Sequence, residues 1–110
     1  MIFKAGEVPT HQIDDQMSIV QYSSSEHSKK FNVVKGILTG KHGLTTNHRS
    51  DRAYFILRGS GEASVGEDKF EVGKDDLVII PSGYAHGLKG DMEFLIITAP
   101  AFDPADEESD

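Results

Sequence analysis

Five histidines are the side chains of this sequence best suited to chemistry near neutral pH. An imidazole titrates close to 6.5, so it can take or give a proton, and its neutral form ligates first-row metals. His11 and His27 lie in polar surroundings and read as surface residues. His48 and His86 stand elsewhere. His48 comes shortly before Arg52, where a strand begins, and His86 follows the turn Pro81-Ser82-Gly83. Both fall at strand edges or loop ends, where scaffolds commonly carry sites. Along an unbroken strand His48, Arg52, Tyr54 and Ile56 share one face, and His42 has the same parity. Arg52 offers a planar fork of donors that matches a carboxylate or phosphate. Against that stands the plainer reading, in which Arg52 pairs with Asp51, Glu62 or another acid and His86 is a packing residue.

These side chains need elements to hold them, and the elements read as strands. No long segment repeats apolar residues every three to four positions, as an amphipathic helix would. Short apolar or alternating runs recur near residues 17–22, 31–38, 52–58, 62–65, 69–72, 77–80 and 94–98. They are rich in β-branched and aromatic side chains such as Val33, Val34, Tyr54, Phe55, Ile79, Ile80 and Ile97. Gly59-Ser60-Gly61 reads as a hairpin corner, Gly66-Glu67-Asp68 as a tight hairpin turn and Gly73-Lys74-Asp75-Asp76 as another turn. Residues 23–30 are polar and read as a loop. Many short strands with frequent turns give an all-β fold, a sandwich or a barrel. The runs 77–80 and 94–97 are apolar without alternation, so both faces need cover, and a second subunit is one way to supply it. A homodimer is therefore expected.

The chain has 110 residues, enough for a single domain over residues 1–110 with one core. A net charge of −7 argues against nucleic acid as a partner. The absence of cysteine rules out disulfides, zinc–thiolate sites and a thiol nucleophile, and is compatible with a cytoplasmic location. No signal peptide and no run near the roughly 20 apolar residues of a membrane helix is read, so no membrane partner is expected. The acidic tail at 103–110 reads as a solvated segment. Gly59-Ser60-Gly61-Glu62 lacks the pattern of a phosphate loop, and Ser82-Gly83 lacks a nucleophile elbow.

Two spacings resemble the cupin superfamily. The first cupin motif, G-x5-H-x-H-x3,4-E-x6-G, is matched in register by Gly40, Thr46, His48, Arg52 and Gly59. The second, G-x5-P-x-G-x2-H-x3-N, is matched by Asp75, Pro81, Gly83, His86 and Gly90. The resemblance spans about residues 31–100 and implies a cupin-type double-stranded β-helix, a jelly-roll barrel. It implies a barrel pocket lined by Thr46, His48, Arg52, Tyr54 and His86. Metal-binding cupins use three His and one Glu, but here Thr46 and Arg52 occupy two of those positions. His48 and His86 remain as an incomplete divalent-metal site, with His42 as a candidate third ligand. A guanidinium about 5 Å from a dication repels it by roughly 6–7 kcal/mol at an effective dielectric of about 20. The same substitutions suit a small anionic or sugar-like ligand held by hydrogen bonds. Two enzymatic readings stand beside this binding reading. One is a metal-independent sugar isomerase or epimerase, with His48 or His86 as acid or base and Tyr54 or Tyr84 as partner. The other is a metal-dependent, dioxygenase-like cupin with a reduced ligand set.

Overall fold

The computed structural model describes residues 1–109; Asp110, the last residue of the acidic tail, lies outside the described residues. Eight strands follow in order: β1 (Thr10–Gln12), β2 (Met17–Gln21), β3 (Asn32–Asn47), β4 (Asp51–Val65), β5 (Asp68–Gly73), β6 (Leu77–Ile80), β7 (His86–Ala99) and β8 (Glu107–Ser109). All pair antiparallel. The sheet runs β1-β2-β3-β7-β4-β5, with β6 added to β4 and β8 added to β3. The all-β jelly-roll expectation holds.

Three long strands, β3, β4 and β7, form the frame. The sequence divides β4 into two runs at Gly59-Ser60-Gly61, read above as a hairpin corner. The structure corrects this: the chain stays in one strand and bends there, with a register shift between Ile56 and Arg58. Glycine serves a close approach at this bend. A Cβ on Gly61 would run into the Lys89 carbonyl oxygen, and one on Gly59 into that of Asp91. The two-residue turn after Val65 and the turn after Gly73 form as expected. Alternation then sorts the side chains. Arg52, Tyr54 and Ile56 of β4 are buried, as are Val78 and Ile80 of β6 and Met92, Phe94 and Thr98 of β7. With Leu38, Leu88 and Met17 the apolar members make one core. Burying each large apolar side chain contributes about 1.5–3 kcal/mol. Phe94 fits because β3 carries Gly36 opposite it, where any Cβ would meet the ring.

The acidic tail departs furthest from its sequence reading. Pro104–Asp106 form a short 3₁₀ turn capped by the Asp103 side chain, and β8 then pairs with the end of β3. Thr45, Thr46 and Asn47 lie opposite Ser109, Glu108 and Glu107. The tail thus adds a strand, Glu107–Ser109, to the sheet, although most of its described side chains stay exposed.

Candidate functional site

At one end of the barrel a cavity of about 210 Å³ opens between β2, β3, β4 and β7. Its walls are apolar: Ile13, Met17, Ile19, Val34, Ile96 and Phe102. Its polar groups come from His42, Arg52, Tyr54, Thr98, Asn32 and Gln21. Sites for drug-sized ligands run to roughly 300–1,000 Å³, so this cavity suits a smaller molecule.

The centre of the polar floor is Arg52, 7% exposed. Its Nη1 donates to Glu107 Oε1 at 2.8 Å and its Nη2 to Oε2 at 3.3 Å, a two-pronged pair. Its Nε donates to the Thr98 hydroxyl at 3.3 Å. Phe102 lies beside it, with its ring centroid 5.9 Å from the guanidinium carbon. Burial disfavours the Arg52 charge, but the Glu107 carboxylate more than offsets this and holds the guanidinium above its ordinary pKa. Burial likewise opposes the Glu107 charge, and the hydrogen bonds and charge of Arg52, helped by Asn47, pull that carboxyl below its ordinary range. Asn47 Nδ2 donates to Glu107 Oε2 at 2.8 Å.

His86 is 1% exposed and both its ring nitrogens are engaged. Nδ1 sits 3.0 Å from the Tyr84 carbonyl oxygen, which can only accept, so Nδ1 carries the proton. Nε2 then accepts from Arg52 Nη1 at 3.2 Å, with the Thr45 hydroxyl at 3.4 Å. Burial first, and the Arg52 charge after it, lower the His86 pKa. His42 lines the cavity, and burial lowers its pKa as well, with Asp14 acting in the other direction. Tyr54 is buried and its phenol is pushed up, chiefly by desolvation. These groups make one internal ion pair, two neutral imidazoles and a protonated phenol; Arg52, His42 and Tyr54 line the cavity, while Glu107 and His86 meet Arg52 from outside its lining.

The structure brings Arg52, Tyr54 and His86 together, and does not bring His48 or Thr46 with them. The β3–β7 register shifts between His42 and Thr45, so parity along β3 changes there. Thr45 and Asn47 take the inward-facing roles, while Thr46 is buried beside β8 without lining the cavity. His48 falls in the turn after β3, which Asn47 Oδ1 closes by accepting from the Arg49 and Ser50 amides. It is exposed, and its Nε2 meets Glu108 Oε2 at 2.8 Å. Tyr84 is also exposed, at 52%. The plainer sequence reading, in which Arg52 pairs with Asp51, Glu62 or another acid, finds that acid in Glu107, some 55 positions along the chain. Sequence reasoning missed Asn47 and Thr98. His42, noted for its parity, was within reach of the sequence, as were Arg52, Tyr54 and His86.

A divalent metal, which the cupin resemblance implies, finds no fitting donor set here. Arg52 brings a cation to the floor, His86 turns its free lone pair to that cation, and His48 faces outward. Among the described residues no group of three or more His, Cys, Asp or Glu stands ready to hold an ion. Among them, too, no helix is long and apolar enough to cross a membrane.

Residues 35–98 match a family model described as a cupin domain. No curated protein matches the sequence. Among solved structures, Pac13, described as a nucleoside dehydratase, superposes with a TM-score of 0.89 at 22% identity, covering 98% of this chain and 88% of that one. A Streptomyces Pac13 variant solved with uridine agrees equally well, at 21% identity and the same coverage. KdgF from Halomonas sp. gives 0.85 at 14% identity, over 96% of this chain and 99% of that one. A predicted oxalate decarboxylase from Thermotoga maritima gives 0.80 at 21% identity, over 90% and 98%. At these identities the likeness speaks for the fold.

Proposed function

The chain belongs to the cupin domain family, and from that premise we propose that it binds a small, neutral, sugar-like molecule in the barrel cavity through its own hydrogen-bonding groups. The observation that carries this reading is the state of Arg52. Its fork of donors, which would otherwise take a ligand carboxylate or phosphate, already holds Glu107. That favours the sugar-like ligand over the anionic one. Apolar walls on one side and neutral donors and acceptors on the other suit a ring bearing hydroxyls. The nucleoside dehydratase solved with uridine, alike in fold, makes a nucleoside a reasonable first probe. The test is thermal stabilisation by a panel of neutral sugars and nucleosides, uridine among them. A saturable rise in melting temperature, lost in Tyr54→Phe and His42→Ala, is expected. No response to any neutral sugar or nucleoside overturns the reading.

A second reading makes the same cavity an acid–base enzyme. Its support is His42, a neutral imidazole lining the cavity with the protonated Tyr54 phenol. A neutral imidazole takes a proton and a phenol gives one, as an isomerisation or an elimination on a sugar ring requires. In this reading His42 replaces His48 and His86 as base, and Tyr54 is the acid. Because the His42 pKa is lowered, the rate rises with pH and levels off with a midpoint below the ordinary histidine value of about 6.5. Turnover that survives His42→Ala removes this reading.

The partner we propose is a second copy of the chain. Its support is the outer face of the sheet, where Leu77 and Ile79 are 57% and 58% exposed.

A further inference from the structure

Glu107 is an acid on the last strand, and it holds the Arg52 fork in the way a ligand's own acid group would. We propose that Glu107 is the specificity-determining residue of the cavity: an internal carboxylate that occupies the Arg52 fork and so excludes anionic ligands. The inference rests on the reading of the cavity as a ligand site and names what decides its ligand class.

The geometry carries it. The two guanidinium nitrogens of Arg52 face the two carboxylate oxygens of Glu107, the arrangement by which arginine grips a carboxylate or phosphate. The remaining Arg52 bonds go to Thr98 and His86. An anion entering the cavity meets a cation with four of its five N–H donors engaged and its charge already paired. To be held it must displace Glu107. That displacement is opposed at several points. Asn47, 2% exposed, donates to the same carboxylate. The backbone of β8 is paired to β3. Asp106 on one side of Glu107 meets Arg49 at 2.7 Å, and Glu108 on the other meets His48 at 2.8 Å. Three successive acids thus dock on three bases of one turn and strand start, and the middle one is delivered to Arg52, which lines the cavity. Without the Glu107 charge the cavity lining keeps the Arg52 cation, the His42 imidazole and the Tyr54 phenol, an arrangement complementary to an anion.

Isosteric Glu107→Gln separates the alternatives, with inorganic phosphate and acetate as probes at constant ionic strength in a non-coordinating buffer. Wild type is expected to show no saturable change in melting temperature beyond that given by chloride. E107Q, its fold checked by circular dichroism, is expected to bind both anions saturably and to rise by several degrees. The double variant Arg52→Met, Glu107→Gln loses that response, which assigns it to the guanidinium. Saturable anion binding by wild type overturns the proposal, as does a folded E107Q with no anion response. Should E107Q not fold, Glu107→Ser, which leaves space for a small anion beside Arg52, takes its place under the same criteria. A wild-type protein that ignores both sugars and anions, beside an E107Q that binds anions, would sink the sugar reading and leave this one standing.

Discussion

Arg52 and Glu107 show how much one pair commits a small barrel. Both side chains are largely shielded from water, at 7% and 19% exposure, so each depends on the other for its charge. Removing one partner of such a pair costs about 3–5 kcal/mol, whereas removing both can be nearly neutral. Arg52→Met should therefore destabilise by that amount in urea titrations at pH 7, and adding Glu107→Leu should recover most of it; an additive pair of losses would contradict the geometry. The titrating groups set a direction with pH. His86 and His42 have lowered pKa values, so the unfolded chain takes up protons first as pH falls. Their contribution is complete above about 6.5 and is lost on acidification through the window below it. Glu107 is also lowered, so its contribution is present above the ordinary carboxylate value of about 4.3 and is lost as pH falls through its folded value. The melting temperature should thus decline in two stages on acidification, and His86→Phe should remove part of the upper one. Asp75 is a separate case. It fills the first Gly position of the second motif and adopts φ 72, the left-handed region. Asp75→Gly relieves that conformation and should stabilise by ~0.5–1 kcal/mol in the same titrations.

Among the elements, β8 does more than its three residues promise. It covers the edge of β3 and supplies the counter-charge for Arg52. A chain ending at Asp106 should lose about 3–5 kcal/mol, mostly from the buried cation left unpaired. That is a drop of more than ten degrees in a scanning melt for a domain of this size; an unchanged melt would mean that β8 is ornamental. This strand was not legible in the sequence, because Glu107-Glu108-Ser109 has neither apolar alternation nor β-branched residues, and its reason to be a strand lies in the edge it meets. The one local hint was charge: Asp106, Glu107 and Glu108 mirror His48, Arg49 and Arg52. The frame was more readable. Alternation at Arg52, Tyr54 and Ile56 located the inward face of β4, and motif spacing singled out His86, which is buried against Arg52. What spacing did not carry was parity through a bulge. The shift between His42 and Thr45 put His42 on the cavity and left His48 outside it, and Gly43, a strand-interior glycine of the kind that marks a bulge, was the local signal for it.

At the scale of the molecule, the chain closes one core and leaves one face unfinished. The radius of gyration, 13.1 Å, is what a compact domain of this length should have. Yet the registers set Leu77 beside Phe55 and Leu95, and Ile79 beside Ala53 and Ile97, all on the outside of the sheet. These two rows join into an apolar patch across β6, β4 and β7, rimmed by Lys35, Glu93 and Arg58, which pair among themselves. An apolar centre with a polar rim is the anatomy of a protein interface. A two-fold axis through the patch would set each apolar row against its own copy, which needs no second kind of surface. Covering an exposed leucine or isoleucine gains about 1.5–3 kcal/mol per side chain, and the face carries several such side chains on each copy. The proposed homodimer therefore predicts twice the chain mass by light scattering at micromolar concentration. Ile79→Lys, which places a charge on the patch without touching the core, should give the monomer mass and keep the β-sheet spectrum. A wild-type chain that is monomeric under those conditions would leave this face without the partner its residues call for.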